Sequence, residues 1–113
     1  MIGPTELMRM RSDAYLINVA RGAVVDHPAL VQALRRGALA GAGLDVFPTE
    51  PLPPGDPLWD LPNVILTPHV AGATVHYLDR ALALFVDNLV RYLEGRTLRN
   101  VVDPALGYPA AGG

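Results

Sequence analysis

The sequence of 113 residues contains no cysteine and no lysine. Without cysteine, the chain forms no disulfide and holds no thiolate-bound metal, and we expect no metal site. All nine basic residues are arginine, they form no basic run, and the net charge is −2, which argues against nucleic acid or an anionic membrane as a partner. No apolar segment is long enough to cross a membrane and no signal-peptide pattern is present, so we expect a cytoplasmic location.

The sequence also lacks a glycine-rich G-x-G-x-x-G turn between a strand and a helix. The nearest match, Gly41-Ala42-Gly43, lies inside an apolar segment and opens no helix. Half of the residues are hydrophobic, which is enough for a core. The length indicates one small domain or a part of a larger one.

Three short apolar segments predict strands, at residues 14–19, 40–46 and 63–66. Their apolarity is continuous rather than alternating, which is typical of a parallel sheet covered by helices on both faces. Helical patterns fall at residues 4–11, at 27–36 after the N-cap Asp26, and at 74–94. This order predicts an α/β fold with a partial, doubly wound parallel sheet, the second half of such a domain, and a long C-terminal helix.

The remaining segments are predicted to be irregular. Residues 47–62 form a loop with six prolines, in which Trp59 is expected to pack the loop onto the body. Residues 98–102 are predicted to be extended. We place the domain at residues 1–103 and a flexible tail at 104–113, which is rich in glycine, proline and alanine.

Four polar side chains lie at or just beyond the ends of the predicted strands. Arg21 and His69 come just after the first and third strands, Asp45 lies near the end of the second, and Glu50 follows in the loop. Each has a plain structural alternative, such as a loop arginine, a solvated glutamate or an aspartate that caps a neighbouring loop. Because the carboxyl ends of parallel strands meet at one edge, where α/β sheets bind ligands, their combination favours a functional site. His27 and His76 are interpreted as surface residues.

Three segments resemble the D-isomer-specific 2-hydroxyacid dehydrogenases. They are Leu16-Ile17-Asn18-Val19-Ala20-Arg21-Gly22-Ala23-Val24-Val25-Asp26, Gly43-Leu44-Asp45-Val46-Phe47-Pro48-Thr49-Glu50-Pro51, and Pro62-Asn63-Val64-Ile65-Leu66-Thr67-Pro68-His69-Val70-Ala71-Gly72. They occur in the family's order. The resemblance implies the C-terminal half of a Rossmann-type NAD-binding domain, and it fits phosphoglycerate, glyoxylate/hydroxypyruvate and lactate dehydrogenases equally.

The resemblance also implies catalytic roles. Arg21 would bind the substrate carboxylate and polarise the 2-oxo group. His69 would be the acid–base residue for hydride transfer with NAD or NADP. Glu50 would accept a hydrogen bond from the other ring nitrogen, which fixes the tautomer and favours the imidazolium.

Cofactor contacts are implied on the same three segments. Asp45 would face the nicotinamide carboxamide, beside Arg21 and His69. Backbone at the ends of the first and third strands would line the cofactor, at Val19, Ala20, Val70, Ala71 and Gly72.

Family members carry a substrate domain and a phosphate-binding turn before this region, and neither is present here. The expected partners are therefore a small 2-oxo or 2-hydroxy acid, the missing N-terminal half of the enzyme and, by family habit, a second copy in a homodimer. Two alternatives remain open: an NAD-sensing scaffold similar to the C-terminal-binding corepressors, and a truncated, inactive remnant. The bare edge of the first strand predicts self-association.

Overall fold

The computed structural model describes residues 1–109 and forms two compact units, Met1–Gly72 and Ala73–Gly113. The first unit is built on a parallel sheet of three strands, β1 (Tyr15–Asn18), β2 (Gly41–Leu44) and β3 (Val64–Leu66). Their order in the sheet is their order in the chain, with Ile17 opposite Gly43 and Gly43 opposite Ile65. The predicted parallel α/β sheet is confirmed, although each strand is shorter than its apolar segment.

Two helices flank the first strand along the chain. Helix α1 (Pro4–Arg9) begins with a proline, and the Gly3 N–H donates to the Glu6 carboxylate over 2.8 Å. Helix α2 (His27–Arg35) begins at the predicted cap, since Asp26 Oδ1 accepts a hydrogen bond of 2.9 Å from the Ala29 N–H. After its last turn the chain reverses at Gly37, whose φ of 66° is the left-handed conformation that glycine adopts without strain.

The core lies between these helices and one face of the sheet. Its buried members are apolar and come from both helices, from the two longer strands, from the connections on either side of α2 and from the loop after β2: Leu7, Leu16, Val25, Leu30, Val31, Leu34, Leu39, Ala42, Leu44, Phe47 and Leu58. The stripe predicted on α2 is thus the part of that helix that packs inward.

Among the described residues 1–109, the opposite face of the sheet is exposed, which corrects the expectation of helices on both faces. Tyr15, Ile17 and Ile65 are 68%, 74% and 72% exposed. The apolar run in β1 predicts burial on both sides, yet only alternate residues, Leu16 and Asn18, are buried. A continuous apolar run therefore shows that both faces of the strand are apolar, but it does not show that this chain buries both of them.

The proline-rich loop from residue 47 to 62 connects β2 to β3 without an α-helix. A single 3-10 turn at Pro57–Asp60 interrupts it. The prediction that Trp59 packs the loop onto the body is wrong: Trp59 is 54% exposed, and its neighbour Leu58, 1% exposed, is the residue that enters the core.

The second unit contains one long helix, α3 (Tyr77–Leu93), and a short antiparallel pair, β4 (Val102–Asp103) with β5 (Tyr108–Pro109). The helix confirms the predicted amphipathic segment and begins three residues later than expected. None of its residues is buried. In the described range 1–109, no helix is both long and apolar enough to cross a membrane.

The C-terminal boundary stays a prediction. Of the tail placed at residues 104–113, residues 104–107 form a turn that leads into β5, and residues 110–113 lie outside the described part of the chain. Of the segment predicted to be extended at residues 98–102, only Val102 belongs to a strand.

Candidate active site

The turn after β1 is organised by a buried asparagine. The Asn18 side chain accepts a hydrogen bond of 3.1 Å from the Ala20 N–H and donates one of 3.0 Å to the Arg21 carbonyl. Arg21 is exposed, and its Nη1 donates to the Ala20 carbonyl over 2.6 Å. Asn18 was missed as a site residue; the signal was a single polar residue at the end of an apolar strand.

The same turn packs against the loop that follows β2. Gly22 is buried, and a Cβ atom at this position would collide with the backbone of Phe47 and with the Pro48 nitrogen. Only glycine fits this close approach of two backbones. The packing joins the segment that carries Arg21 to the segment that carries Glu50.

Asp45, just after β2, is the central anchor of the turn that follows β3. The carboxylate accepts hydrogen bonds from the Thr67 hydroxyl, from the Val70 N–H at 2.9 Å and from the Ala71 N–H at 2.8 Å. Its residue is 3% exposed. The Thr67 hydroxyl is the main cause that lowers the pKa of Asp45, and the two N–H groups add to the effect against an opposing contribution from burial. The loop-capping alternative for Asp45 is therefore realised.

His69 and Glu50 form a hydrogen-bonded pair at the carboxyl end of the sheet. His69 Nδ1 lies 2.7 Å from Glu50 Oε2, and the side chains are 46% and 35% exposed. An ionised carboxylate only accepts hydrogen bonds, so Nδ1 carries the proton and the lone pair of a neutral ring lies on Nε2. The second carboxylate oxygen, Oε1, accepts a hydrogen bond of 2.9 Å from the Phe47 N–H.

These contacts explain the electrostatics of the pair. The hydrogen bond from His69 is the largest cause that lowers the pKa of Glu50, followed by the Phe47 N–H, while burial acts in the opposite direction. The positive charges of His69 and Arg21 lower it further. Glu50 therefore stays ionised, and Arg21 contributes to the same electrostatic environment.

The backbone of His69 is unusual. Its φ is 54°, a left-handed conformation that is uncommon for residues other than glycine and that occurs often at functional sites. The hydrogen bonds from Val70 and Ala71 to Asp45 hold the chain in this turn. The ring borders a largely apolar cavity of about 560 Å³, lined by Phe47, Glu50, Pro51, Leu52, Trp59, Leu66, Thr67, Pro68 and His69.

The five residues proposed to line the cofactor by backbone are all exposed: Val19, Ala20, Val70, Ala71 and Gly72. Two of them, Val70 and Ala71, already use their N–H groups on Asp45. Contacts from those two residues to a ligand would therefore come from other atoms. Their role, like that of Asp45 toward a nicotinamide, stays a prediction.

One of the two histidines interpreted as surface residues lies in a different environment. His76 is exposed, at the start of α3. His27, by contrast, is part of a second histidine–carboxylate pair, with 2.8 Å between its Nε2 and Asp56 Oδ2. The two side chains are only 19% and 13% exposed.

Comparison with known proteins supports the family resemblance. Residues 1–71 match the model of the D-isomer specific 2-hydroxyacid dehydrogenase, NAD binding domain. The chain belongs to this family. The match includes Arg21, Asp45, Glu50 and His69, and ends within the turn that Asp45 holds.

Several relatives of this dehydrogenase-family chain are named for a reductase or dehydrogenase activity. It is 49% identical over 104 residues to glyoxylate/hydroxypyruvate reductase B of Pectobacterium carotovorum subsp. carotovorum, which covers 92% of the chain and 32% of the relative. The D-isomer specific 2-hydroxyacid dehydrogenase of Xanthobacter autotrophicus Py2, solved with NADPH and MES, has a TM-score of 0.83 and 46% identity over 93% of the chain and 43% of that structure.

A third relative is the NADPH-dependent glyoxylate/hydroxypyruvate reductase of Sinorhizobium meliloti, solved with NADP and malonate. Its TM-score is 0.78 at 38% identity, over 99% of the chain and 34% of that structure. The family-member chain thus spans about a third of the length of the curated relatives it matches, such as the Pectobacterium reductase.

Proposed function

We propose that this chain supplies the catalytic segment of an NAD(P)-dependent reductase of small 2-oxo acids, with glyoxylate and hydroxypyruvate as the first substrates to test. The observation that carries the proposal is the His69–Glu50 pair, 2.7 Å between Nδ1 and Oε2, at the carboxyl end of the sheet. Two of the relatives are named glyoxylate/hydroxypyruvate reductases, which favours these two substrates over other 2-oxo acids.

His69 is the proton donor in this proposal. Its Nδ1–H is held by Glu50, so Nε2 is the atom that exchanges a proton with the substrate. In reduction, the imidazolium gives the Nε2 proton to the 2-oxo oxygen while C2 receives a hydride, which yields the 2-hydroxy acid. In oxidation, the neutral ring takes the hydroxyl proton. The negative charge of Glu50 stabilises the imidazolium in both directions.

Arg21 binds the substrate carboxylate. A guanidinium offers two parallel N–H donors to a carboxylate, which fixes the orientation of a small acid. Its backbone is held by Asn18 through the 3.0 Å hydrogen bond to the Arg21 carbonyl, while the side chain is exposed. The malonate in the Sinorhizobium reductase is a small carboxylate of the kind that such a group binds.

The residues present fit a nicotinamide cofactor. A carboxylate has about four acceptor positions, and Asp45 uses three of them for Thr67, Val70 and Ala71, so one remains for the carboxamide N–H. Val19 and Val70 offer apolar surface at the ends of β1 and β3, since they are 59% and 46% exposed. When bound, the nicotinamide supplies or accepts the hydride.

The chain alone is expected to bind NADH weakly, because it lacks the glycine-rich turn whose helix N-terminus holds the pyrophosphate. The binding sites of the whole enzyme, the homodimer and the cytoplasmic location stay predictions. Calorimetric titration of the chain with NADH and with NADPH tests the weak binding expected of the chain alone. A micromolar or tighter dissociation constant would contradict it.

A chimera tests the activity. In it, this chain replaces the matching 104 residues of the Pectobacterium reductase. We expect the chimera to reduce glyoxylate and hydroxypyruvate, and His69→Ala and Arg21→Lys to reduce its activity through kcat and KM respectively. An inactive chimera that folds and binds NADPH would favour the scaffold or remnant alternatives instead.

A further inference from the structure

The buried pair His27–Asp56 lies outside the proposed catalytic residues. Its Nε2–Oδ2 distance is 2.8 Å, and both side chains are more than four-fifths buried, with exposures of 19% and 13%. It borders a cavity of about 450 Å³ whose other charged group is Asp26, the cap of α2. Because removing two polar groups from water is costly, a pair kept in this position needs a reason.

Asp56 connects the proline-rich loop to the body at two points. Its Oδ1 accepts a hydrogen bond of 3.0 Å from the Leu58 N–H, and its Oδ2 binds His27. Leu58 is in the core, and His27 is the first residue of α2, whose N-terminus Asp26 caps. The pair thus attaches the loop to the N-terminus of α2, next to the buried Leu58.

The same loop carries Glu50, and a stiff segment joins the two. Three of the six residues from 51 to 56 are proline, which restricts the backbone. The Pro53 carbonyl accepts hydrogen bonds from the Asp56 N–H at 3.0 Å and from Trp59 Nε1 at 2.9 Å. Gly55 is the one unrestricted position between them, and the 3.0 Å hydrogen bond from the Asp56 N–H to the Pro53 carbonyl spans it, so we infer that a displacement of Asp56 is passed on towards Glu50.

We propose that His27 and Asp56 are a positioning pair: by fixing the loop, they hold Glu50 on His69 Nδ1 and so select the tautomer of the proton-exchanging ring. The inference rests on the proposed role of His69, but its main test does not use catalysis. It concerns the geometry that links the start of α2 to the turn after β3.

The first measurement is the tautomer of neutral His69, read from the ¹⁵N shifts of its ring in the full chain. His27→Ala removes the donor to Asp56. Asp56→Ser keeps a cap for the Leu58 N–H but is too short to reach His27. In both variants we expect the Nδ1–H form to lose population, toward the value found in Glu50→Ala. His27→Gln, whose amide can still donate to Asp56, should restore it.

The second measurement is hydrogen exchange at the Phe47 N–H, which donates to Glu50 Oε1. We expect exchange to accelerate about tenfold or more in His27→Ala and Asp56→Ser, because the acceptor is no longer held in place. Leu34→Ala is the control for general destabilisation, since Leu34 is buried on the same helix, about two turns after His27. Asp13→Asn is the control for charge, since it breaks the exposed Arg11–Asp13 pair.

The outcomes separate the proposal from its alternatives. If folded His27→Ala and Asp56→Ser keep the parent's His69 tautomer and Phe47 hydrogen exchange, the pair stabilises the loop only locally and the proposal is overturned. The same holds if Leu34→Ala changes the tautomer as much as they do. Should His27→Ala fail to fold, Asp56→Ser and His27→Gln decide. In the active chimera, we expect His27→Ala and Asp56→Ser to lower kcat by up to about 10²-fold with KM for glyoxylate unchanged. An inactive chimera would reject the proposed function, and the tautomer and the Phe47 hydrogen exchange would then decide the role of the His27–Asp56 pair.

Discussion

Two histidine–carboxylate pairs of the same chemistry occur in different surroundings of the first unit. The His27–Asp56 pair has side chains 19% and 13% exposed, whereas the side chains of the His69–Glu50 pair are 46% and 35% exposed. The hydrogen-bond lengths hardly differ, at 2.8 Å and 2.7 Å. What distinguishes the pairs is access, because a proton-exchanging ring must reach solvent or a ligand, while a ring that holds a loop does not.

The two pairs also differ in which ring nitrogen contacts the carboxylate. His27 uses Nε2 for its carboxylate, at the far end of the ring, whereas His69 uses Nδ1 and leaves Nε2 outermost. His69 also adopts a left-handed backbone conformation with φ of 54°. Together these features present the outer nitrogen of His69 to a ligand, and they make it the better candidate for acid–base chemistry.

The largest expected effect is on turnover. In the chimera, His69→Ala should lower kcat by about 10²–10⁴-fold, because general acid–base catalysis contributes that much. His27→Gln, which keeps a donor to Asp56 in the other pair, should leave kcat within a small factor of the parent. Steady-state kinetics of glyoxylate reduction measure both. Equal losses in the two variants would show that the pairs do not differ in role.

The second effect concerns the anchoring of the loop beside Asp56. Leu58→Ala removes a side chain that is 1% exposed and should lower the free energy of unfolding by about 2–5 kcal/mol. Trp59→Ala, at a residue 54% exposed, should cost less despite the larger side chain. Urea denaturation of the two variants compares them. A greater loss for Trp59→Ala would show that Trp59 packs the loop onto the body, as the sequence predicts.

This pair of neighbours shows where sequence analysis stops. The sequence predicts that Trp59 packs the loop onto the body. In the 3-10 turn at Pro57–Asp60, however, Trp59 Nε1 bonds the Pro53 carbonyl at the surface and Leu58 points into the core. That choice depends on the turn's rotation relative to the sheet, which no local pattern encodes.

Other site features divide in the same way. Arg21, Asp45 and His69 were predicted at strand ends because strand position follows from apolar runs and their terminating residues. His27 was misjudged because Asp56, its partner, lies 29 residues away in a segment without periodicity. The uncovered sheet face at Ile17 and Ile65 was missed because an apolar strand does not specify whether its cover lies in the same chain.

The third effect tests the contact between the Arg21 turn and the Glu50 loop. Gly22→Ala places a Cβ against the backbone of Phe47 and Pro48, so it should cost about 1–3 kcal/mol and displace the loop. Gly55→Ala, in the same loop with open space around it, is the control and should be nearly neutral. Denaturation curves give the cost, and Phe47 hydrogen exchange reports the displacement. A neutral Gly22→Ala would mean that the two segments are not tightly packed.

The smallest effect is the pH dependence of stability that Glu50 contributes. Its pKa is lowered chiefly by the hydrogen bond from His69, with help from the Phe47 N–H and against burial. A carboxyl whose pKa is lower in the folded chain binds protons more readily when unfolded, so acid favours unfolding. The stabilisation is fully present above the unfolded value, about 4.3, and is lost as the pH falls through the lower folded value.

Glu50→Gln removes this titration while it keeps a side chain of similar shape. Thermal unfolding of the parent and of Glu50→Gln from neutral to acidic pH should therefore show a difference in Tm at neutral pH that narrows in acid. Asp45, whose pKa is also lowered, titrates in both chains and so cancels from the comparison. A difference in Tm that stays constant over the whole range would mean that the charge of Glu50 is not what stabilises its contact with His69. The dyad would then be a neutral packing contact, and the distinction drawn between the two histidine pairs would rest on exposure alone.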